Sequence, residues 1–246
     1  MARYFLELAY KGSGFAGFQV QKNANSIQAE VEKALQVYFR DSFMLTGSSR
    51  TDAGVHARQN YFHFDYAFQP EKAWDEVLYN LNAILPAEIV LKKVTVVADD
   101  AHCRFDAVSR TYEYSIYTRK DPFLIDRSYY YPYHLDIDLL QQAAIQVLNA
   151  GNFKSFAKRN SQVMHYRCQI FESEWLCNSE SEYIYRVRGN RFLRGMVRGL
   201  VGTMLRVGTG KISLEAFAAI IAEGDPAKAD FSVPPQGLML MEVCYR

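Results

Sequence analysis

Alternating apolar and polar positions along the chain predict most of its β-strands. Arg3 to Tyr10 and Gln59 to Phe68 alternate with a period of two, which is typical of strands with one buried face. Arg110 to Thr118 shows the same period, with Tyr112, Tyr114 and Ile116 on one face. Shorter apolar runs predict further strands at 43–47, 88–97, 169–176 and 183–188, and after the Pro-Gly turn near the end of the chain.

Apolar residues at helical spacing predict helices between these strands. Ser26 is a suitable N-cap for a helix that extends to Phe39. Further helices are expected over Trp74–Leu85, over 136–151 and from Asn190 onward. In the last of these helices, three glycines lie three to four residues apart on one face, namely Gly195, Gly199 and Gly202. Another element or a ligand can therefore pack closely against that face.

The order of these elements predicts an α+β protein built of two similar halves. Each half mixes strands with two helices, and the pattern starts again near Leu135. We expect the junction to lie between Asp99 and Ser109, which gives an N-terminal half over 1–105 and a C-terminal half over 106–246.

Composition indicates a folded chain whose charge is unevenly distributed. Of the 246 residues, 49% are hydrophobic, and there are 17 tyrosines and 16 phenylalanines, which suits β-rich cores and also surfaces on which bases stack. The net charge of +1 alone does not indicate a nucleic-acid-binding protein. The segment from Tyr183 to Lys211, however, carries seven basic residues and no acidic one, so one face is suited to a polyanion.

Several classes of protein are disfavoured by the motifs. The four cysteines form no C-x-x-C pair and the N-terminus has no apolar leader, so we expect a cytoplasmic protein with reduced thiols. No apolar run reaches the length of a membrane span, and we expect no membrane association. The glycine-rich segment at 12–17 lacks the features of a P-loop, and no G-x-S-x-G elbow is present, so no nucleotide cofactor is expected.

The segment GSSRTDAGVHARQ, residues 47–59, concentrates charge in a loop of small residues. Asp52 follows Arg50 by two positions, so the guanidinium is able to hold a substrate phosphate near the carboxylate or to pair with it. Asp52 is equally well placed to cap a turn before Gly54. The loop alone does not separate an active carboxylate from a turn cap.

Two other groups of residues are candidates for a site. Arg110 precedes Tyr112 on one strand face, a combination that suits a base stacked on a ring with its phosphate held nearby. A lone tyrosine in such a strand is more often a core residue. Arg198 lies in an apolar, glycine-rich helical stretch, where a buried arginine needs a partner such as a carboxylate. Arg198 is thus either part of a salt bridge in the core or a site residue. Both interpretations hold at once if its partner is Asp52.

A metal site built from His56, His63 and Asp65 is a weaker alternative. The spacing of these residues is found in hydrolytic sites, but the chain has no H-E-x-x-H pattern. His63 and Asp65 would share a strand face away from the loop-borne His56. We therefore expect no metal and expect His63 to be a surface or hydrogen-bonded residue.

Taken together, the motifs resemble the tRNA pseudouridine synthases of the A class. The segment GSSRTDAGVHA, residues 47–57, contains the family signature G-x-x-R-T-D-A-G-V-H. Further segments follow in the family's order, namely YKGSGFAGFQ, SIQAEVEKAL, CRFDAVSRTYEY, NFKSFAK, FLRGMVRGLVGTM and VPPQGLML. The resemblance covers nearly the whole chain.

The resemblance assigns roles to individual residues. It implies that Asp52 is the catalytic aspartate, that Tyr112 lies against the target base, and that Arg198 pairs with the aspartate. Arg50 would contact the RNA backbone, with Arg110 beside the base. The chain departs from the family pattern at three positions, where Phe18 replaces the usual Trp, Val233 an Ala, and Asn152 an Asp.

The resemblance also implies a fold, a substrate and partners. The fold would be two ferredoxin-like halves that form a continuous, mainly antiparallel sheet flanked by helices, with the active cleft between the halves. The substrate would be tRNA, modified at the family's target uridines 38, 39 and 40 of the anticodon stem-loop. A homodimer is implied, with neither a metal nor another cofactor. The main alternative is a catalytically inactive tRNA-binding or folding module, and the third is a metal-dependent hydrolase.

Overall fold

The computed structural model describes residues 1–67, 73–158 and 163–246, which form two compact units. The first unit comprises Met1–Val108 together with Leu240–Arg246, and the second comprises Ser109–Met239. The described residues contain nine strands and five helices, which confirms the predicted α+β class.

The first unit contains an antiparallel sheet in the order β4-β1-β3, with β2 paired to β3. Its elements are β1 (Ala2–Tyr10), α1 (Ile27–Phe39), β2 (Thr46–Gly47), β3 (His56–Tyr66), α2 (Trp74–Ile84) and β4 (Ile89–Val97). Ser26 caps α1 as predicted, because its hydroxyl accepts the Ala29 N–H at 3.3 Å. The predicted strand at 43–47 is shorter than expected, and the end of the strand predicted to Phe68 lies outside the described residues.

Aromatic rings fill the core of the first unit. Tyr4 and Leu6 of β1 pair with Phe64 and Phe62 of β3, and all four are at most 2% exposed. The Tyr4 and Phe64 rings stack with their centroids 5.4 Å apart. Phe18, at a position where the family resemblance implies a tryptophan, is 1% exposed and stacks on Phe62 at 4.5 Å. The four strand residues share one face of the sheet, so the strand alternation places a buried face there, as a period of two predicts.

The second unit contains an antiparallel sheet in the order β5-β8-β7, with β6 parallel to β5. Its elements are β5 (Ser109–Tyr117), β6 (Tyr129–Tyr130), α3 (Ile137–Asn149), β7 (Ile170–Ser179), β8 (Glu182–Gly189), α4 (Met196–Gly208) and α5 (Leu214–Glu223). The last strand, β9 (Leu238–Cys244), begins in the second unit and continues in the first. No helix of the described ranges is long and apolar enough to cross a membrane.

The start of α4 differs from the sequence prediction. A helix from Asn190 is wrong, because Gly195 adopts a left-handed conformation with φ of 74° and the helix begins at Met196. Asn190 instead joins two elements, since its side chain accepts the Gln169 N–H and its carbonyl accepts a bond from Arg110.

The glycine face of α4 packs against the chain segment 230–234, which we call the α4 strap. A Cβ at Gly199 would lie 2.7 Å from the Phe231 ring, and a Cβ at Gly202 would overlap the carbonyl of Asp230. The Thr203 hydroxyl accepts the Asp230 N–H at 2.9 Å. The close partner that the glycine spacing predicts is therefore another protein segment.

We predict that Gly202→Ala destabilises the protein by roughly 1–3 kcal/mol, because the new methyl group forces the backbone of the α4 strap away from the helix. Urea denaturation measures the loss. Gly151→Ala is the control, since a Cβ at Gly151 meets no atom within 4 Å. Equal stability of the two variants would contradict the close packing.

Candidate active site

The segment Gly47–His56 lies in the first unit and connects β2 to β3; we call it the Asp52 loop. Asn60 of β3 is fully buried and holds this loop by its side-chain amide. Its Nδ2 donates to the Ser49 carbonyl at 2.8 Å, and its Oδ1 accepts the Ser49 N–H at 3.2 Å. One side chain thus satisfies both backbone groups of a buried loop residue.

Two further contacts fix the centre of the Asp52 loop. The hydroxyls of Tyr10 and Thr51 are hydrogen-bonded at 2.8 Å, and Asn60 Nδ2 also donates to Tyr10 Oη at 3.1 Å. The Phe18 N–H donates to the Thr51 carbonyl at 3.1 Å. The residue immediately before Asp52 is therefore held from two sides.

Glycines allow a neighbouring segment to approach the loop closely. Gly17 has φ of 106°, and a Cβ there would lie 3.1 Å from the Thr51 carbonyl. A Cβ at Gly12 would overlap the Val55 carbonyl. The Gly12 N–H donates to Nδ1 of His56 at 3.0 Å, so His56 is a buried hydrogen-bond acceptor that shapes the loop.

Asp52 is half-buried on this loop, and its neighbour Arg50 is exposed. The Asp52 carbonyl accepts the Val55 N–H at 3.2 Å, which closes a turn through Gly54 with φ of 80°. The loop backbone is thus fixed on both sides of the carboxylate, and Asp52 has interactions beyond this turn. A fixed backbone is what a positioned acid or base requires.

In the second unit, Tyr112 and Arg110 lie on β5. Tyr112 is 9% exposed, and its ring meets the edge of the Phe192 ring at 5.1 Å and 79°. Arg110 Nη1 donates to the Asn190 carbonyl at 3.0 Å. Both side chains are held in place by residues between β8 and α4.

Arg198 of α4 is half-buried and binds the α4 strap. Its Nε and Nη2 donate to the Val233 carbonyl at 2.9 and 2.7 Å. The sequence suggests a carboxylate partner, but within the second unit the partner is a backbone carbonyl. Tyr114 donates to the next carbonyl, that of Pro234, at 2.7 Å, and burial raises the pKa of Tyr114 well above its usual range.

The alternative metal ligands do not form one group in the first unit. The Arg3 guanidinium donates to Asp65 at 2.7 Å and lowers the pKa of that carboxyl. His63 is buried and accepts the Cys103 N–H at 3.3 Å, and burial lowers the pKa of its imidazole. The Nδ1 atom of His56 already accepts the Gly12 N–H. His63 is thus hydrogen-bonded, which is one of its two expected states.

A different triad in the first unit has the donor atoms of a metal site. The ligand atoms of His63, His102 and Cys103 lie within 4.8 Å of one another. Protein groups already bond to the side chains of Cys103 and His102, since Cys103 Sγ donates to the Thr46 carbonyl at 3.2 Å and His102 Nδ1 accepts the Arg104 N–H at 3.1 Å. This group is not evident from the sequence, because His63 is about 40 residues from His102 and Cys103.

We predict that Asn60→Ala destabilises the protein by about 2 kcal/mol or more, because it leaves the buried Ser49 amide and carbonyl without their partner. Chemical denaturation measures the change. Asn80→Ala is the matched control, since the Asn80 amide donates to an exposed carbonyl of its own helix, that of Glu76, at 2.9 Å. A loss no greater than that of the control would show that Asn60 does not hold the loop.

Comparison with known proteins shows the family of this chain. Residues 143–246 match the family model described as tRNA pseudouridine synthase. The chain is 42% identical to tRNA pseudouridine synthase A of Bacteroides fragilis, over 99% of this chain and 96% of that protein. The corresponding proteins of Parabacteroides distasonis and Staphylococcus saprophyticus are 38% and 36% identical, over 100% and 98% of this chain and 96% and 90% of their own lengths. The chain therefore belongs to the tRNA pseudouridine synthase family.

Proposed function

We propose that the protein is an isomerase that converts uridine to pseudouridine in the anticodon stem-loop of tRNA, at positions 38, 39 and 40. The observation that carries this proposal is similarity to tRNA pseudouridine synthases A over essentially the full chain. The Asp52 loop supports it, because the signature residues lie in a segment that β3 and two glycines hold in place.

The reaction breaks the bond between N1 of the base and C1′ of the ribose. The base then turns, C5 forms a bond to C1′, and the proton on C5 is lost while N1 gains one. No electrons are transferred to or from another molecule, and no water is consumed. Residues that hold the base, stabilise charge and move protons are sufficient for such a rearrangement.

We assign Asp52 as the catalytic carboxylate, acting either as a nucleophile or as a base toward the ribose. Tyr112 would form one wall of the pocket for the flipped base, and Arg198 would pair with Asp52. Arg50 and Arg110 would bind the RNA near the target nucleotide. The support is the match to the family signature, together with the fixed side chains of Tyr112, Arg110 and Arg198 in their own unit.

Flipping a base out of a stack costs a few kcal/mol, least for bases that are unpaired or near the end of a stem. Uridines of an anticodon stem-loop meet this condition. The aromatic wall and the neighbouring arginines would repay part of the cost by stacking and by phosphate contacts. The proposed substrate therefore suits the proposed residues.

We also infer that each unit is a ferredoxin-like half, that the active cleft lies between the halves and that the chain works as a homodimer in the cytoplasm. The support is the family resemblance, together with the antiparallel strands and helices found within each unit. Size-exclusion chromatography with light scattering measures the oligomeric state.

We predict that Asp52→Asn lowers the rate of pseudouridine formation by about 10²- to 10⁴-fold or more, because the amide can serve neither as nucleophile nor as base. Release of tritium from C5 of labelled uridines in tRNA measures the rate. Binding of tRNA to the variant should stay within a few-fold of wild type. Asp65→Asn is the control, since Asp65 forms a solvent-exposed ion pair with Arg3. Activity retained in Asp52→Asn would overturn the assignment.

We predict that Arg198→Ala loses both activity and about 1.5–3 kcal/mol of stability, because two charge-assisted bonds to the Val233 carbonyl disappear. Arg198→Lys should retain more activity and more stability than Arg198→Ala but less than wild type, since an ammonium lacks the planar pair of donors. Tritium release and urea denaturation of the same samples separate the two effects. Wild-type activity of the Arg198→Ala variant would show that Arg198 is not a residue of the active site.

A further inference from the structure

A polar pocket of about 190 Å³ opens beside the Asp52 loop and is lined by residues of the first unit. Arg50 of the loop forms part of its wall, and residues of the turn 102–106 form another part. The ten lining residues include two arginines, two glutamines and no carboxylate. The charge of the pocket therefore suits an anionic ligand.

The floor of the pocket is rigid. Phe18 is stacked on Phe62 with 13° between the ring planes, and Gly47 lies against the Phe18 ring so closely that a Cβ would overlap it. The Gln28 amide donates to the Leu45 carbonyl at 2.9 Å and to Glu32 at 2.8 Å. The shape of the floor is thus set by the core and by α1.

The turn 102–106 presents a large aromatic ring to solvent. Phe105 is 73% exposed, the His102 ring lies 4.2 Å from it, and the Arg104 guanidinium lies 5.6 Å from its centroid. A ring that contributes so little to the core, flanked by a cation, is the arrangement by which proteins stack unpaired bases and bind their phosphates.

The turn is held in one conformation by bonds on its buried side. The His102 N–H donates to the Asp106 carboxylate at 2.7 Å, and the His102 carbonyl accepts the N–H groups of Phe105 and Asp106. Cys103 is fully buried, and its carbonyl accepts the Tyr245 hydroxyl at 2.6 Å. Because the turn is already ordered, binding to Phe105 does not have to offset the entropy of ordering it.

We propose that this pocket receives a nucleotide of the tRNA that neighbours the target uridine, with its base against Phe105 and its phosphate held by Arg104 and Arg50. The proposal rests on the proposed function, since it takes tRNA as the ligand. Arg50 supplies the connection, because it lines the pocket and lies two residues from Asp52. Phe105 and Arg104 are then binding residues that fix the register of the RNA.

The test measures equilibrium binding of tRNA in the Asp52→Asn background, so that no turnover occurs. Phe105→Ala should weaken binding about 5- to 150-fold, the range for loss of one stacked base, while Phe105→Tyr should bind as tightly as the parent. Tyr79→Ala is the control, since Tyr79 is an exposed ring of the same unit, 77% exposed on α2. It should bind tRNA as the parent does. Thermal melting of each variant confirms that it is folded.

Arg104→Gln provides a second measurement in the same assay. It should lower the slope of log K against log salt by about 1, as expected for loss of one phosphate contact, whereas Phe105→Ala should leave the slope unchanged. Parent-like binding by both Phe105→Ala and Arg104→Gln would overturn the proposal.

The failure of this proposal and that of the proposed function are distinguishable. If the wild-type protein releases tritium from labelled tRNA but neither pocket variant loses affinity, only the pocket assignment is wrong. If the wild-type protein releases no tritium from any tRNA, the proposed function is wrong whatever the pocket variants bind.

Discussion

The contact on which the candidate site most depends is the pairing of the Asn60 amide with the backbone of Ser49. A loop of small residues has few apolar side chains to anchor it, so its position must come from hydrogen bonds to a rigid element. Asn60 provides them from the middle of β3, where it is fully buried. Tyr10 extends the same network to Thr51. The carboxylate of Asp52 is thereby positioned by the core of its unit.

The second unit achieves the same result by a different means. Its candidate site residues lie on β5 and α4. The α4 strap binds the Arg198 side chain, whereas Phe192 and Asn190, between β8 and α4, hold Tyr112 and Arg110. Arg198 and Tyr114 each donate to a carbonyl of the strap, and the glycines of α4 allow the strap to lie close enough for these bonds. The glycine spacing in this helix and the arginine in its middle are therefore parts of one packing arrangement.

Local patterns predicted the elements well, whereas contacts distant in sequence escaped prediction. The period of β5 and the Ser26 cap of α1 are properties of a few adjacent residues, and both are confirmed. The start of α4 was missed because it depends on the left-handed conformation of Gly195. Helix α5 was not predicted, because its nearly uniform apolar sequence shows no alternation between a buried and an exposed helix face. The Val233 partner of Arg198 and the Cys103 partner of His63 are 35 and 40 residues away, respectively. The site residues themselves were recognised by their motifs, and their roles stay predictions.

The alternation of β3 explains how one strand supports both segments of the proposed site. Asn60 and His63 are three residues apart in a stretch of regular pairing with β1, so their side chains point to opposite faces of the sheet. On one face Asn60 holds the Asp52 loop, and on the other His63 accepts the N–H of Cys103 and so anchors the turn that carries Phe105. A shift of this strand by one residue would exchange the two faces and displace both segments together. The loop with the carboxylate and the turn with the exposed ring therefore share one determinant of position, as the binding of two adjacent nucleotides would require.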